Sequence, residues 1–158
     1  MGLRPRTAHE LSLEPHPGGG WYGRVYTSPV EVPVPGLDGV RPTAVLIHYL
    51  LSPGERSSWH RVSSDELWLW RRGGQLRLRQ GGTGGAPVEN GSAEASTTLL
   101  GPGHDYPVTH LQMLVPAGTW QCAEPAQKHE VLVSCLVTPG SGLADIELYE
   151  ESAARAGN

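Results

Sequence analysis

The sequence predicts a single all-β domain with one or two short helices. Three observations carry this expectation. The 21 Gly and 14 Pro are spread along all 158 residues and are not gathered in one tract. Short apolar segments lie between these turn formers, the spacing typical of β-sandwiches and barrels. No apolar run reaches membrane-spanning length; the longest lie near Ala44–Ile47 and Leu111–Val115. A chain of this size can build one ordinary core but not two, so residues 1–158 form one unit.

In chain order, Thr7 and Glu10 have the spacing of a capping box and open a short helix that runs to about Leu13. The Pro15–Gly20 stretch forbids its continuation. Strands are expected near Trp21–Thr27, Thr43–Leu51, Ser58–Val62, Leu67–Arg71 and Gln75–Gln80. Further strands follow near Thr97–Leu99, Gln112–Val115, Gln121–Cys122, Val131–Thr138 and Asp145–Leu148. Residues Gly81–Ser96 carry Gly, Ser, Ala and Asn with few large apolar groups and read as a mobile hairpin loop. Glu150–Ala156 offers a last helical turn.

Alternation assigns faces. His60 and Val62 share one face, as do Glu66, Trp68 and Trp70, with Leu67 and Leu69 opposite. Arg77 and Arg79 alternate with Leu76 and Leu78 and point to solvent. The strand at Leu67–Trp70 is apolar on both faces and must be covered on both, by a flanking segment or a second subunit; a homodimer is therefore expected.

Composition excludes several classes of function. The net charge is −4, from 12 basic and 16 acidic residues, and no run of like charge suggests a nucleic-acid surface. Cys122 and Cys135 are too few and too isolated for a disulfide framework or a zinc knuckle, and read as reduced thiols. Met1–Arg6 lacks the apolar stretch of a signal peptide. The expectation is a cytoplasmic protein with no membrane and no nucleic-acid partner.

From Gly54 the chain reads Gly-Glu-Arg-Ser-Ser-Trp-His60-Arg-Val62-Ser-Ser-Asp-Glu66-Leu-Trp-Leu-Trp-Arg-Arg-Gly73. This resembles the first cupin motif, a Gly, then His-x-His, then Glu, then Gly. Every spacing is kept, but Val62 stands where the second His belongs. Val115-Pro116-Ala-Gly118-Thr-Trp120-Gln121 resembles the second motif, with Gln121 in place of its His and His110 in place of its leading Gly. With His16-Pro-Gly-Gly-Gly-Trp-Tyr22 and Cys135-Leu-Val-Thr-Pro-Gly140, the pattern resembles the fifth-numbered cupin subfamily, formerly a domain of unknown function, over about residues 10–148. Gly18 stands where that subfamily has Glu, and Leu143 and Ile146 where it has Phe. The resemblance implies a double-stranded β-helix, or jelly roll, commonly dimeric, with a ligand cavity inside the barrel. It does not imply a chemistry.

Two of the four usual ligand positions lack a ligand, so no cofactor is expected; any metal would fall to His60, Glu66 and Gln121. His48, His104 and His110 have no spacing that makes them substitutes, and His9, His16 and His129 read as surface or structural. What remains is proton transfer. His60 would be the acid/base, Glu66 would orient it, and Gln121 would bind a substrate oxygen. Trp68, Trp70, Tyr22, Tyr26, Tyr49 and Tyr106 would wall the cavity around a small-molecule ligand. Arg24 is the one inward Arg, and Trp120, of opposite parity to Gln121, packs outside.

The expected function is thus a metal-independent enzyme of non-redox chemistry, an isomerase, cyclase or lyase, in specialised-metabolite biosynthesis. The alternatives are a nucleotide-sugar epimerase-like enzyme, a non-catalytic small-molecule-binding cupin and a metal-dependent cupin oxygenase.

Overall fold

Turn formers divide the chain into short strands in the computed structural model, which describes residues 3–89, 91–104 and 108–150. The first half carries α1 (Arg6–Glu10), β1 (Glu14–Pro15), β2 (Trp21–Thr27), β3 (Glu31–Pro33), β4 (Val40–Pro42), β5 (Val45–Leu51), β6 (His60–Val62) and β7 (Asp65–Gly73). The second half carries β8 (Leu76–Gly81), β9 (Ala95–Leu100), β10 (Gln112–Val115), β11 (Gln121–Pro125), β12 (Val131–Thr138), a 3-10 turn (Leu143–Asp145) and β13 (Ile146–Leu148).

Two sheets face one another. One has the order β1-β2-β5-β12-β7-β10 and the other β13-β6-β11-β8-β9, while β3 and β4 form a separate hairpin. Among the described residues the pairings between these strands are antiparallel, with one isolated parallel bridge between Leu100 and His110. This is a jelly-roll barrel, and the alternation of buried and less buried residues along β7 and β8 fixes which side chains fill it, while the central strand β12 is buried on both faces over Val131–Cys135.

Inside, Tyr49, Leu51, Trp68, Leu76, Leu78, Leu100, Val115, Val131, Val133 and Cys135 form one buried cluster. On the outer face of the six-stranded sheet, Ala8, Leu13, Trp21, Leu50 and Leu132 form a second. The N-terminal helix therefore serves as a cover for part of that face.

Two expectations require correction here. Thr7 and Glu10 make no capping box: Pro5 occupies the N-cap with extended backbone. The Thr7 hydroxyl instead donates to Glu130, fastening the helix to the sheet. The Pro-rich segment before Thr43, where no strand was expected, holds the β3–β4 hairpin; Pro33 and Pro42 end their strands, where a missing N–H is tolerated. The stretch after Gly81 is a loop joining β8 to β9. Glu151 onward lies outside the described residues, so the final helical turn does too.

Candidate functional site

One end of the barrel is open. A cavity of about 510 Å³ is lined there by His16, Tyr22, Arg24, Val45, Ile47, His60, Val62, Glu66, Val137, Leu143 and Ile146. It also passes around the rim of β2 to Leu11, Leu13, Gly23 and His48. This is possible because β1 pairs only with Trp21 and Tyr22, leaving the rest of β2 without a strand on that side.

Glu66 forms part of the cavity wall, and its position is fixed from behind. Trp68 Nε1 donates to Gln121 Oε1 at 2.8 Å, and Gln121 Nε2 donates to Glu66 Oε2 at 2.7 Å. An indole N–H can only donate, so the amide orientation follows: its oxygen faces Trp68 and its NH₂ faces the carboxylate. Burial, followed by the charge of Glu66 and a hydrogen bond to it, holds the Cys135 thiol well above its ordinary range. It stays protonated beside Glu66.

His60, 8% exposed, lies on β6 opposite Gln121 on β11. Its Nδ1 is 2.8 Å from the Ser58 carbonyl oxygen. A carbonyl can only accept, so Nδ1 carries a proton, and in the neutral ring Nε2 presents a lone pair. No hydrogen bond or ion pair joins His60 to Glu66 among the described residues. The expectation that Glu66 orients His60 is thereby corrected: the backbone of Ser58 does so.

His16, expected to be a surface or structural residue, is brought to the cavity by the turn between β1 and β2. Gly19 and Gly20 have φ of +106° and +73°, and a Cβ on Gly19 would come within 2.2 Å of the Arg56 carbonyl oxygen. Only glycine allows this tight return against the barrel. The Gly18 N–H donates to His16 Nδ1 at 2.9 Å, so the His16 proton resides on Nε2. The ring also makes edge contacts with Tyr22 and Tyr49 at 5.0 and 5.5 Å. Burial, and secondarily the proximity of His60, lower its pKa to about 4, and it is neutral at physiological pH. The sequence signal was the run of three glycines directly after His16-Pro17.

The other wall residues are distributed differently from expectation. Tyr22 and Arg24 do line the cavity. Trp68, Trp70 and Tyr49 face inward but belong to the packed end of the barrel. Tyr49 donates its hydroxyl to the Gly19 carbonyl, and Trp70 Nε1 donates to the Gly74 carbonyl. Tyr26 is 51% exposed and pairs with Leu46 on the outer face, because a bulge at Val25 shifts the alternation. Gln121 is wholly buried and off the cavity wall, with both amide atoms engaged, so it supports Glu66 and is not placed to meet a substrate oxygen. Tyr106 lies outside the described residues. Leu143 and Ile146 were noted only as departures from the subfamily; they line the mouth, on a segment tied down by a two-pronged Arg41–Asp145 ion pair.

The four cupin ligand positions are therefore His60, Val62, Glu66 and Gln121, and this set does not fit a divalent metal. Val62 has no donor atom. Gln121 turns an NH₂ donor toward Glu66 and spends its oxygen on Trp68. Among the described residues no three His, Cys, Asp or Glu come together as a metal-holding group.

The sequence profile described as Cupin superfamily (DUF985) matches residues 6–149. Among solved structures, a protein from Shewanella oneidensis is 30% identical, with a TM-score of 0.80 over 99% of this chain and 90% of its own. A hypothetical protein from Leishmania major is 26% identical, with a TM-score of 0.79 over 94% of this chain and 88% of its own. An uncharacterized conserved protein with a double-stranded β-helix domain, from Klebsiella pneumoniae, is 16% identical, with a TM-score of 0.56 over 90% of this chain and 94% of its own; it speaks to the fold alone. No curated protein matches the chain. Among the described residues no helix is long and apolar enough to cross a membrane.

Proposed function

Since the chain belongs to the Cupin superfamily (DUF985) family, we propose that its open barrel end binds a small, mainly apolar molecule and moves a proton on it without redox chemistry. The observation that carries this reading is the pair of imidazoles in opposite tautomers. His60 presents a bare Nε2 and His16 presents an Nε2–H, each fixed by a backbone bond to Nδ1.

In such a site His60 Nε2 takes a proton from a carbon next to a carbonyl. The electron pair moves into an enolate whose oxygen accepts the His16 Nε2–H. A neutral imidazole suits this electrophilic role, and the low pKa of His16 keeps it neutral. The His60 imidazolium then returns the proton at another carbon, or to a leaving group, giving isomerisation, cyclisation or elimination. The Glu66 carboxylate, in the same wall, favours the transient cation. Arg24 stands exposed at the mouth with, among the described residues, only a 3.4 Å bond to the Thr27 hydroxyl, and suits an anionic end of the substrate.

The epimerase-like reading is less well supported. A diphosphate needs several cations, and Arg77 and Arg79 lie on the outside, sharing Glu124. The donor set described above likewise gives an oxygenase reading no support. A non-catalytic binder differs from the proposed enzyme only in turnover.

That difference is measurable. A panel of simple ketones and keto acids, incubated with the protein in D₂O, should take up deuterium next to the carbonyl, read by NMR. His60→Ala should lower the rate by roughly 10²–10⁴-fold, the range for a positioned acid/base. Exchange that is equal in the variant, or absent although a panel member binds, would reduce the site to a binding pocket.

A further inference from the structure

The five-stranded sheet carries a second depression, on its side away from the barrel cavity. Its volume is about 280 Å³, and Arg56, Trp59, Arg77, Arg79, Glu124 and Tyr149 stand around it. Alternation puts them there. Along β8, Leu76 and Leu78 are buried in the core, so Arg77 and Arg79 point outward; along β11, Ala123 is buried between Cys122 and Glu124. Trp59 precedes the inward-facing His60, and its carbonyl accepts the Tyr149 N–H at 2.9 Å, which ties the chain after β13 to this rim. The lining includes Cys122, whose thiol burial pushes up to about 11; it is neutral and needs no counter-ion.

The charges around the depression are unequally matched. Arg77 Nη1 and Arg79 Nη2 both donate to the same Glu124 oxygen, Oε1, at 3.0 and 2.9 Å. Register explains the sharing, since Glu124 lies opposite Arg77 while Arg79 lies opposite the uncharged Cys122. One carboxylate thus serves two guanidiniums and leaves most of their N–H groups unused. Arg56, exposed on the loop before β6, makes no ion pair among the described residues. Glu89 is the other carboxylate of the lining, so three cations meet two anions in a chain of net charge −4. A carboxylate fills one guanidinium fork, whereas the oxygens of a phosphate can be shared among several. Trp59 and Tyr149 add flat apolar surface on which a ring can pack. The depression is smaller than a typical cofactor pocket, so it suits one ring with its phosphate and not a dinucleotide. We infer that it binds a small phosphate monoester carrying one flat ring, separately from the ligand of the barrel. Arg56, Arg77 and Arg79 hold the phosphate, and Trp59 and Tyr149 flank the ring.

Calorimetric titration of the full chain with phenyl phosphate at low salt tests this, with inorganic phosphate and benzoate as comparisons. Phenyl phosphate should bind at a single site, about tenfold or more tighter than either comparison ion. Arg56→Gln should weaken it by about tenfold or more, the effect of losing one hydrogen bond between charged groups. Glu124→Gln should tighten it a few-fold, because both guanidiniums lose their competing carboxylate. Arg24→Met, which removes the cation at the barrel mouth, should leave it unchanged, so the result does not depend on the barrel site. No binding at millimolar phenyl phosphate, or equal binding of inorganic phosphate or benzoate, would overturn the inference. So would binding that Arg24→Met abolishes, or that Arg56→Gln leaves intact. A Glu124→Gln protein with an unchanged circular dichroism spectrum that binds no tighter would overturn it as well.

Discussion

At the closed end of the barrel Trp68, Cys135 and Ile47 face one another in register across β7, β12 and β5; two residues further along the same strands, Glu66, Val137 and Val45 do the same. The first row packs into the core, with Ile47 at its edge, and the second opens onto the cavity. Nothing in alternation separates the two rows, since both point inward. The difference is depth along the strand. What divides the ends is the chain of bonds from Trp68 through Gln121 to Glu66, in which every buried polar atom on the closed side is engaged. On the open side His60 and His16 each keep one ring nitrogen for a ligand.

This contrast predicts unequal responses to substitution. The largest effect falls on the closed end. Trp68→Ala removes a side chain 1% exposed and leaves Gln121 without its donor; unfolding in urea should show a loss of about 3–5 kcal/mol. Gln121→Leu keeps most of the volume but strands the Trp68 N–H and one oxygen of Glu66. A loss of about 2–4 kcal/mol is expected in the same assay, and a loss under about 1 kcal/mol would mean the bonds do not divide the barrel as described.

These effects bear on what could be read in the residues. The barrel, the faces of its regular strands and the two motif segments were legible, because turn formers and period-two alternation are local properties; Tyr26, past the bulge in β2, was not. Trp68, Trp70 and Tyr49 were correctly placed inward but at the wrong depth, because depth depends on which strands pair and in what register. His16 was missed for a related reason: it enters the cavity through a glycine turn and not through a strand's alternation. The separation of His60 from Glu66 was not legible either. The motif spacing brings both into one cavity, but only the register of β6 on β11 and the conformation at Ser58 decide which bonds they make.

A pH dependence comes next in size. The folded protein holds His16 near a pKa of about 4, against 6.5 when unfolded, so the unfolded chain binds more protons between those values. The stability contribution is fully present above about pH 6.5 and is lost as pH falls toward 4. Thermal unfolding followed over that window should show the decline, and His16→Gln should flatten it. The smallest stability effect belongs to the open end itself. Arg24→Met at the exposed mouth should change stability by less than about 0.5 kcal/mol while weakening the binding of anionic ligands, read by calorimetry with a small keto acid.

The central claim, that the open end presents one imidazole lone pair and one imidazole N–H, can be tested without a substrate. Long-range proton–nitrogen NMR on the imidazole rings at pH 7 reads the tautomer of each histidine. The account predicts His60 protonated at Nδ1 and bare at Nε2, and His16 bare at Nδ1 and protonated at Nε2, with His16 still neutral at pH 5.5. Two rings in the same tautomer, or a His16 that is doubly protonated by pH 6, would contradict it.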